Sequence, residues 1–213
     1  MPMENGPFID GVIAYFYEEI LNTLTLGGYG QILMSAIAHT GAHHGTSVIE
    51  FATGPGANCR RFLKLIGKSP YVGIDISSGM KKRFMSRCGK KEHVRFITQS
   101  ITEPFDIGKR FDIAFISFAF HGFPYEEQKV IMKNAYRHLK ATGRFCIFDY
   151  GTFDLDSAHS IVKKAFKAVE CPHAYNFIKL DLRKLAKEVG FKYYKEWYPL
   201  SNPYLRLACM KKS

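Results

Sequence analysis

A glycine-rich turn between a short apolar run and a helical segment most constrains the fold of this 213-residue chain. The apolar run covers residues 48–52, the turn contains Gly54 and Gly56, and residues 60–66 have the composition of a helix. Glycine lets a ligand approach the backbone closely, and the N-terminus of a helix attracts negative charge. The turn therefore predicts a binding site where a strand passes into a helix.

The chain beyond this turn alternates between apolar runs and amphipathic stretches. Four further apolar runs follow, at residues 71–75, 94–98, 111–117 and 144–149. They are nearly continuous in hydrophobicity, which predicts strands buried on both faces. Helices are predicted from about residue 78 and over residues 125–139. This alternation indicates an α/β fold with a Rossmann-like, doubly wound and mostly parallel sheet. Ligands in such folds bind beyond the carboxyl ends of the strands.

The last part of the chain does not follow this alternation of strands and helices. Residues 180–189 predict a helix that Gly190 ends. Two apolar runs follow, at residues 191–197 and 204–209, and the link between them is too short for a parallel crossover. We therefore expect an antiparallel C-terminal pair of strands at one edge of the sheet.

The N-terminal part is predicted to be helical. Residues 8–26 carry apolar side chains at helical spacing, and residues 31–38 form a second helix. We assign residues 1–45 to an N-terminal helical lid and residues 46–213 to the Rossmann-like domain. The first helix would also suit peripheral contact with a membrane, although packing on the domain explains the same pattern. No apolar run reaches the roughly 20 residues needed to cross a bilayer.

Asp75 is the last residue of the second predicted strand, and it narrows the class of ligand that the site can bind. A carboxylate at this position can accept hydrogen bonds from two ribose hydroxyls, so the site suits an adenosine-bearing ligand. A dinucleotide fingerprint, G-x-G-x-x-G, would need a third glycine. Counting from Gly54, that position holds Cys59. This departure, with the antiparallel edge pair, argues against an NAD-dependent oxidoreductase.

The sequence resembles the class I S-adenosylmethionine-dependent methyltransferases. Their first motif is roughly (V/I)-L-(D/E)-x-G-x-G-x-G, and the chain has Val48-Ile-Glu-Phe-Ala-Thr-Gly-Pro-Gly56, with Ala52 at the first glycine. The family's acidic residue after the second strand corresponds to Asp75. Its fourth-strand motif corresponds to residues 111–121, and its R-x-L-K-P-G-G turn to residues 137–144. The most similar subgroup is the ubiquinone/menaquinone-biosynthesis C-methyltransferase type and its small-molecule relatives.

This resemblance implies an enzyme that transfers a methyl group from S-adenosyl-L-methionine to a small-molecule acceptor by in-line displacement. The family's adenine-contacting stretch falls on residues 99–105, where Ser100 replaces the usual aspartate. Glu50 corresponds to the residue that supports the methionine end of the cofactor. The cofactor-binding residues implied are Glu50, Ala52, Thr53, Gly54, Gly56, Asp75, Ile76, Ser100, Ile101 and Ser117.

The acceptor site is expected after the fourth strand. His121 lies there and could act as general base, since histidine accepts protons near neutral pH. A histidine at a helix start, bonded to local backbone, is the alternative. Asp149 could face the cleft or fix a loop. Candidate substrate-pocket residues are Tyr15, Tyr17, Tyr29, Phe120 and Tyr150, although aromatic residues are often core. His39, His43 and His44 predict a solvated loop and no metal site.

The formal net charge of +11 leaves a nucleic-acid partner open. Methylation of base amino groups commonly uses an (N/D)-P-P-(Y/F) motif after the fourth strand, where this chain has Ser117-Phe-Ala-Phe120. No DNA partner is therefore expected, while an RNA or other nucleic-acid methyltransferase stays as the alternative. A non-catalytic binding protein with this fold is a third hypothesis. The retained Asp75 and glycine turn argue against it.

Cysteine usage indicates the compartment. The five cysteines are odd in number, widely spaced and without a CxxC pair. This pattern predicts reduced thiols and a cytoplasmic protein, without a disulfide framework. The start of the sequence does not have the pattern of a signal peptide. A monomer and a homodimer are equally compatible with the sequence.

Overall fold

The computed structural model describes residues 28–199 and 202–212. In this part of the chain, seven strands form one sheet in the order β3-β2-β1-β4-β5-β7-β6. The strands are β1 (Val48–Phe51), β2 (Tyr71–Asp75), β3 (Val94–Thr98), β4 (Phe111–Ser117), β5 (Leu139–Tyr150), β6 (Tyr193–Trp197) and β7 (Leu205–Lys211). The helices are α1 (Tyr29–His39), α2 (Ala57–Ile66), α3 (Ser78–Cys88), α4 (Tyr125–His138), α5 (Ser160–Val169), α6 (Pro172–Phe177) and α7 (Leu182–Val189). The helix predicted over residues 8–26 lies outside the described residues.

The order of the first five strands creates a crevice beside β1. These strands are parallel, and β1 pairs with β2 on one side and β4 on the other. The chain therefore runs outward from β1 to β3 and then returns across β1 to β4. Such a reversal is the switch point at which open α/β sheets bind ligands. The Rossmann-like, mostly parallel fold predicted from the sequence is confirmed.

Helices cover both faces of the sheet, which explains why the strands are apolar throughout. Ile49 and Phe51 pack into one core cluster with residues of α4 and α7. Val48 packs into the other cluster, with residues of α1, α2 and α3. Successive strand residues point to opposite faces, so two-sided burial requires a continuous apolar run.

The predicted antiparallel pair at one edge is confirmed. Strand β7 pairs antiparallel with both β5 and β6, so β6 forms the edge. The turn that the resemblance implies at residues 137–144 lies largely inside β5 instead. Leu139 pairs with Phe111 and Arg144 pairs with Ile113, so the intervening residues of β5 form a local irregularity in the register.

The expectation of reduced thiols needs correction for one pair of cysteines. Cys146 on β5 and Cys209 on β7 are joined by a disulfide, with their Cα atoms 4.2 Å apart. The antiparallel register places the two residues directly opposite each other. Their separation of 63 positions along the chain gives no sign of this contact. Cys59, Cys88 and Cys171 are free thiols.

Two helices between β5 and α7 were not predicted from the sequence. They are α5 and α6, which share a small core with Leu155, Phe166, Ala174 and Ile178. This satellite core packs near the carboxyl end of β5, since partly buried Tyr150 contacts it. None of the helices in the described ranges is both long enough and apolar enough to span a membrane.

Candidate functional site

Glu50 lies at the carboxyl end of β1 and is buried. The hydroxyls of Thr53 and Tyr71 donate hydrogen bonds to its carboxylate, and the side-chain amide of Asn58 donates a third at 2.8 Å. Burial raises the pKa of Glu50 to about 7, and the three hydrogen bonds only partly oppose this rise. The Glu50 carboxyl is therefore close to half protonated at neutral pH.

The turn after β1 takes left-handed backbone conformations. The φ angles are 50° at Ala52, 53° at Gly54 and 83° at Gly56. Such a conformation costs a residue with a Cβ roughly 1–2 kcal/mol, which gives a physical reason for the glycine that the resembled family has at the position of Ala52. A Cβ added at Gly54 would meet no other atom within 4 Å, whereas one at Gly56 would lie 3.0 Å from the Phe84 ring. Gly54 thus presents open backbone, and Gly56 is tightly packed.

Asp75 connects this turn to the end of β2. The Gly54 backbone N–H donates to one Asp75 carboxylate oxygen at 2.9 Å, and the Ser77 N–H donates to the other at 2.9 Å. A carboxylate has about four acceptor sites, so capacity for further donors remains. The next residue, Ile76, is 52% exposed and places an apolar side chain beside the carboxylate. The structure therefore brings Gly54 and Asp75 together, and Ile76 follows Asp75 with an exposed side chain.

Asn58 was missed by the sequence interpretation, although it links β1 to β4. Its side-chain nitrogen donates to Glu50 and, at 2.7 Å, to the hydroxyl of Ser117. Its side-chain oxygen is buried and has no hydrogen-bond partner among the described residues. Buried acceptors are seldom left unpaired, so this oxygen is suited to a donor from a ligand. A polar residue just after the second glycine was the only sequence signal for it.

The loop after β3 is held by α4. The hydroxyl of Ser100 lies 3.0 Å from that of Thr102 and accepts from the Thr102 N–H at 3.3 Å. Ile101 is buried, and its carbonyl accepts a hydrogen bond from the Asn134 side chain at 2.9 Å. Because β3 lies next to β2, this loop is on the far side of Asp75 from the turn. Ser100 and Ile101 are fixed in position but have no described bond to the turn itself.

His121 lies in a single 3-10 turn, Phe120–Gly122, between β4 and α4. Its Nδ1 is 2.6 Å from an Asp149 carboxylate oxygen, and its Nε2 is 3.2 Å from a Glu170 oxygen. The His121 N–H also donates to Asp149 at 3.1 Å, and the Tyr150 hydroxyl donates to Glu170. Asp149 is the penultimate residue of β5, and Glu170 caps the C-terminus of α5. We call these four residues, His121, Asp149, Tyr150 and Glu170, the histidine–carboxylate cluster.

The histidine–carboxylate cluster holds an imidazolium. Burial by itself would lower the pKa of His121, but the hydrogen bonds and charges of Asp149 and Glu170 outweigh burial and raise it to about 10. Both ring nitrogens therefore carry protons at neutral pH and face carboxylates. A general base needs an unprotonated nitrogen that faces the acceptor. This geometry does not support the prediction of His121 as general base.

The residues predicted to line the substrate pocket lie in different parts of the structure. Phe120 is fully buried against Phe145 and Phe177, so its assignment to the pocket is corrected to the core. The ring of Tyr29, at the start of α1, lies 5.9 Å from that of Phe118, which directly follows β4. Tyr150 belongs to the histidine–carboxylate cluster. Tyr15 and Tyr17 lie outside the described residues.

A mostly apolar cavity of about 380 Å³ lies behind the 3-10 turn. Its walls come from the loop after that turn, the first part of α4, and α6 with the residues that follow it. The lining residues are Phe123, Pro124, Tyr125, Gln128, His173, Asn176, Phe177 and Leu180. No group of His, Cys, Asp and Glu suited to a metal ion occurs in the part of the chain that the structure describes.

Comparison with known proteins agrees with this geometry. Residues 48–143 match the protein family described as "Methyltransferase domain". This segment runs from the start of β1 through the glycine turn and Asp75 to the irregular part of β5. No curated protein sequence matched the chain.

Solved structures share the fold at low sequence identity. The magnesium protoporphyrin IX methyltransferase ChlM from Synechocystis PCC 6803, with bound SAM, is 17% identical, with a TM-score of 0.61 over 87% of this chain and 80% of ChlM. A SAM-dependent methyltransferase from Aquifex aeolicus is 16% identical, with a TM-score of 0.61 over 84% of this chain and 88% of its own. The pyocyanin biosynthetic protein PhzM is 12% identical, with a TM-score of 0.67 over 94% of this chain and 61% of its own.

The match over residues 48–143, in this fold, supports the prediction of an S-adenosylmethionine-dependent methyltransferase. The structural neighbours contribute the fold to this assignment, and the family match contributes the class. The predicted class is therefore confirmed, as is the cofactor that it uses.

Proposed function

We propose that the chain transfers a methyl group from S-adenosylmethionine to a small-molecule acceptor bound beyond the carboxyl ends of β4 and β5. The observation that carries the proposal is the junction of Gly54 and Asp75 at the switch point of the sheet. Open backbone at Gly54 and a carboxylate at Asp75 form the arrangement that an adenosine group requires.

The residues present fit this cofactor. Asp75 has acceptor capacity for ribose hydroxyls, and exposed Ile76 offers an apolar surface to the adenine ring. At the site proposed for the methionine end of the cofactor, Asn58 has a buried side-chain oxygen without a partner among the described residues. The side-chain nitrogen of Asn58 donates a hydrogen bond to Glu50. These two acceptors suit the ammonium group of the cofactor's methionine part. Ala52, Thr53 and Gly56 shape the turn, Ser117 bonds to Asn58, and Ser100 and Ile101 are proposed to border the adenine.

Bound S-adenosylmethionine supplies a methyl group that is already electrophilic. The protein therefore has to place the acceptor's nucleophilic atom in line and keep water out. We propose that His121 is a positioning residue, because its imidazolium ties the 3-10 turn after β4 to the ends of β5 and α5. A nucleophile that carries no proton to remove needs no base at this position.

The apolar cavity behind the 3-10 turn supports a small-molecule acceptor. Its volume of about 380 Å³ falls within the range of typical small-molecule sites, which is roughly 300–1,000 Å³. Phe177 links the cavity to the histidine–carboxylate cluster, since its ring lies 6.4 Å from that of His121. An acceptor with an apolar body would therefore lie next to the residues that shape the methyl-transfer site.

The acceptor class can be tested by incubating the protein with methyl-labelled S-adenosylmethionine. A panel of apolar quinones, phenols and heteroaromatic amines would be compared with total tRNA. We expect label in at least one small molecule and none in RNA. Transfer to tRNA alone would replace this proposal with the alternative of a nucleic-acid methyltransferase. The net charge of +11 is the observation that favours that alternative. Cofactor binding without transfer to any acceptor would favour a binding protein.

The raised pKa of Glu50 leads to a prediction about proton release when the cofactor product binds. Because its pKa is about 7, a cation bound nearby should drive Glu50 to its ionised form. Binding of S-adenosylhomocysteine at pH 7 is expected to release up to about half a proton per site. The release should vanish at pH 9, where Glu50 is already ionised, and in Glu50→Gln. Calorimetry in buffers of different ionisation enthalpy measures it, with exposed Glu92→Gln, a change before the start of β3, as control. Equal binding enthalpies in all buffers would contradict the assignment.

The finer predictions extend this proposal. Likeness to the ubiquinone/menaquinone-biosynthesis C-methyltransferases suggests a quinone-like acceptor and contact with a membrane surface. The helical lid of residues 1–45 stays a prediction from the sequence; within its described part, Tyr29 packs against Phe118, which directly follows β4. The division at residue 46, the cytoplasmic location and the choice between monomer and homodimer stay predictions from the sequence.

A further inference from the structure

Arg206 is a buried cation in the C-terminal part of the sheet. It lies on β7, directly opposite Asp149 of β5, and is only 3% exposed. Arginine is seldom buried unless its charge and its N–H groups are satisfied. How the Arg206 guanidinium is satisfied therefore indicates what else this region binds.

The Arg206 guanidinium lies over the Phe177 ring, with its Cζ 5.5 Å from the ring centroid, and only one of its three nitrogens is hydrogen-bonded to a described residue. Its Nη1 donates to the Thr152 hydroxyl at 3.0 Å and to the Glu196 carboxylate at 2.9 Å. Its Nε and Nη2 are buried and have no hydrogen-bond partner among the described residues. Those two nitrogens form the edge with which arginine binds carboxylates and phosphates in bidentate fashion. The unpaired edge is thus the one that matches a planar or tetrahedral oxyanion.

Arg206 lines a cleft of about 300 Å³ that has further cations at its rim. Exposed Lys179 and Arg183 also line this cleft. Its two carboxylates are already engaged. Glu196 accepts hydrogen bonds from Tyr194, Tyr198 and Arg206, and Asp181 accepts from the Lys184 N–H at the start of α7. The three cations therefore exceed the two anions, which favours a negatively charged ligand.

We propose that the cleft at Arg206 is an anion-binding site, in which the unpaired edge of Arg206 holds a carboxylate or phosphate group of a small molecule. Because both nitrogens are buried, the ligand reaches them by displacing side chains at the rim. The site has no described bond to Gly54, Asp75 or Asn58. The inference therefore does not rest on the proposed cofactor site.

The test is calorimetric titration of the full chain with inorganic phosphate and, separately, with benzoate, in chloride-free buffer. The two titrations distinguish a phosphate site from a carboxylate site. We expect at least one anion to bind, and Arg206→Lys to weaken its binding about tenfold, because lysine keeps the charge but loses the bidentate edge. Arg144→Lys is the matched control, since Arg144 is another partly buried arginine of the sheet and bonds to Thr40. It should leave anion binding unchanged.

The outcomes separate this site from the cofactor site. Arg206→Lys should bind S-adenosylhomocysteine as the unchanged protein does. If Arg206→Lys fails to fold, Lys179→Ala with Arg183→Ala replaces it, and these exposed changes should weaken anion binding about threefold or more. The proposal is overturned if neither anion binds the unchanged protein. Equal weakening by Arg206→Lys and Arg144→Lys would overturn it as well.

Discussion

Replacing Asp75 by alanine should weaken the binding of S-adenosylhomocysteine about 100-fold. A hydrogen bond to a charged group contributes about 1.5–3 kcal/mol, and two ribose hydroxyls can donate to this carboxylate. Each 1.4 kcal/mol corresponds to a factor of ten in affinity. The loss also frees the Gly54 and Ser77 N–H groups that Asp75 now holds, so the turn loses its fixed shape.

Calorimetric titration measures this effect, and Asp156→Ala is the matched control because the Asp156 side chain is 91% exposed. Asp75→Asn should fall between the two, since an amide oxygen still accepts one hydrogen bond but carries no charge. If Asp75→Ala bound within threefold of the unchanged protein, the cofactor site would not lie at the switch point. The proposed function would then lose the observation that carries it.

Replacing Asp149 by alanine should destabilise the fold by about 3–5 kcal/mol. The change leaves the buried His121 imidazolium with Glu170 as its one remaining carboxylate, and removing one partner of a buried ion pair typically costs this much. Urea unfolding at pH 7 measures the loss. Asp156→Ala, a change of a 91% exposed side chain in the loop after β5, is the control and should alter stability by less than about 0.5 kcal/mol.

The same cluster predicts the pH dependence of stability. The pKa of His121 is raised from about 6.5 to about 10 by folding, so its stabilisation is fully present below about pH 6.5. It is lost as the pH rises through the folded value of about 10. We expect the free energy of unfolding to fall between pH 6.5 and pH 10, and this fall to be much smaller in His121→Gln. Parallel curves for both proteins would show that His121 is not held as an imidazolium.

The sequence predicts this fold well wherever burial determines the pattern of residues. The bounds of β2, β3 and β4 agree with the prediction, because strands covered on both faces must be continuously apolar. The sequence predicts no helix or strand between β5 and α7. Helix α6 has only six residues, and α5 packs on a small satellite core, so neither imposes a long apolar pattern.

The site was predictable where local backbone chemistry defines it. Gly54 and Asp75 follow directly from their positions at strand ends. Contacts that depend on register or on distant loops were not predictable, and they include the Glu170 partner of His121 and the Thr152 and Glu196 partners of Arg206. For this reason the sequence predicts His121 as a base and Phe120 as a pocket residue, whereas in the structure His121 is enclosed between two carboxylates and Phe120 is a core side chain.

The placement of β7 has a consequence for how the chain folds during synthesis. Strand β6 is made before β7, yet β7 lies between β6 and β5 and is the strand with which β6 pairs in the described sheet. While the ribosome has released β6 but not β7, two apolar strand edges lack their native neighbour. Such unpaired edges are prone to aggregation. In the described sheet, β6 can therefore join only after β7 has been synthesised and has paired with β5.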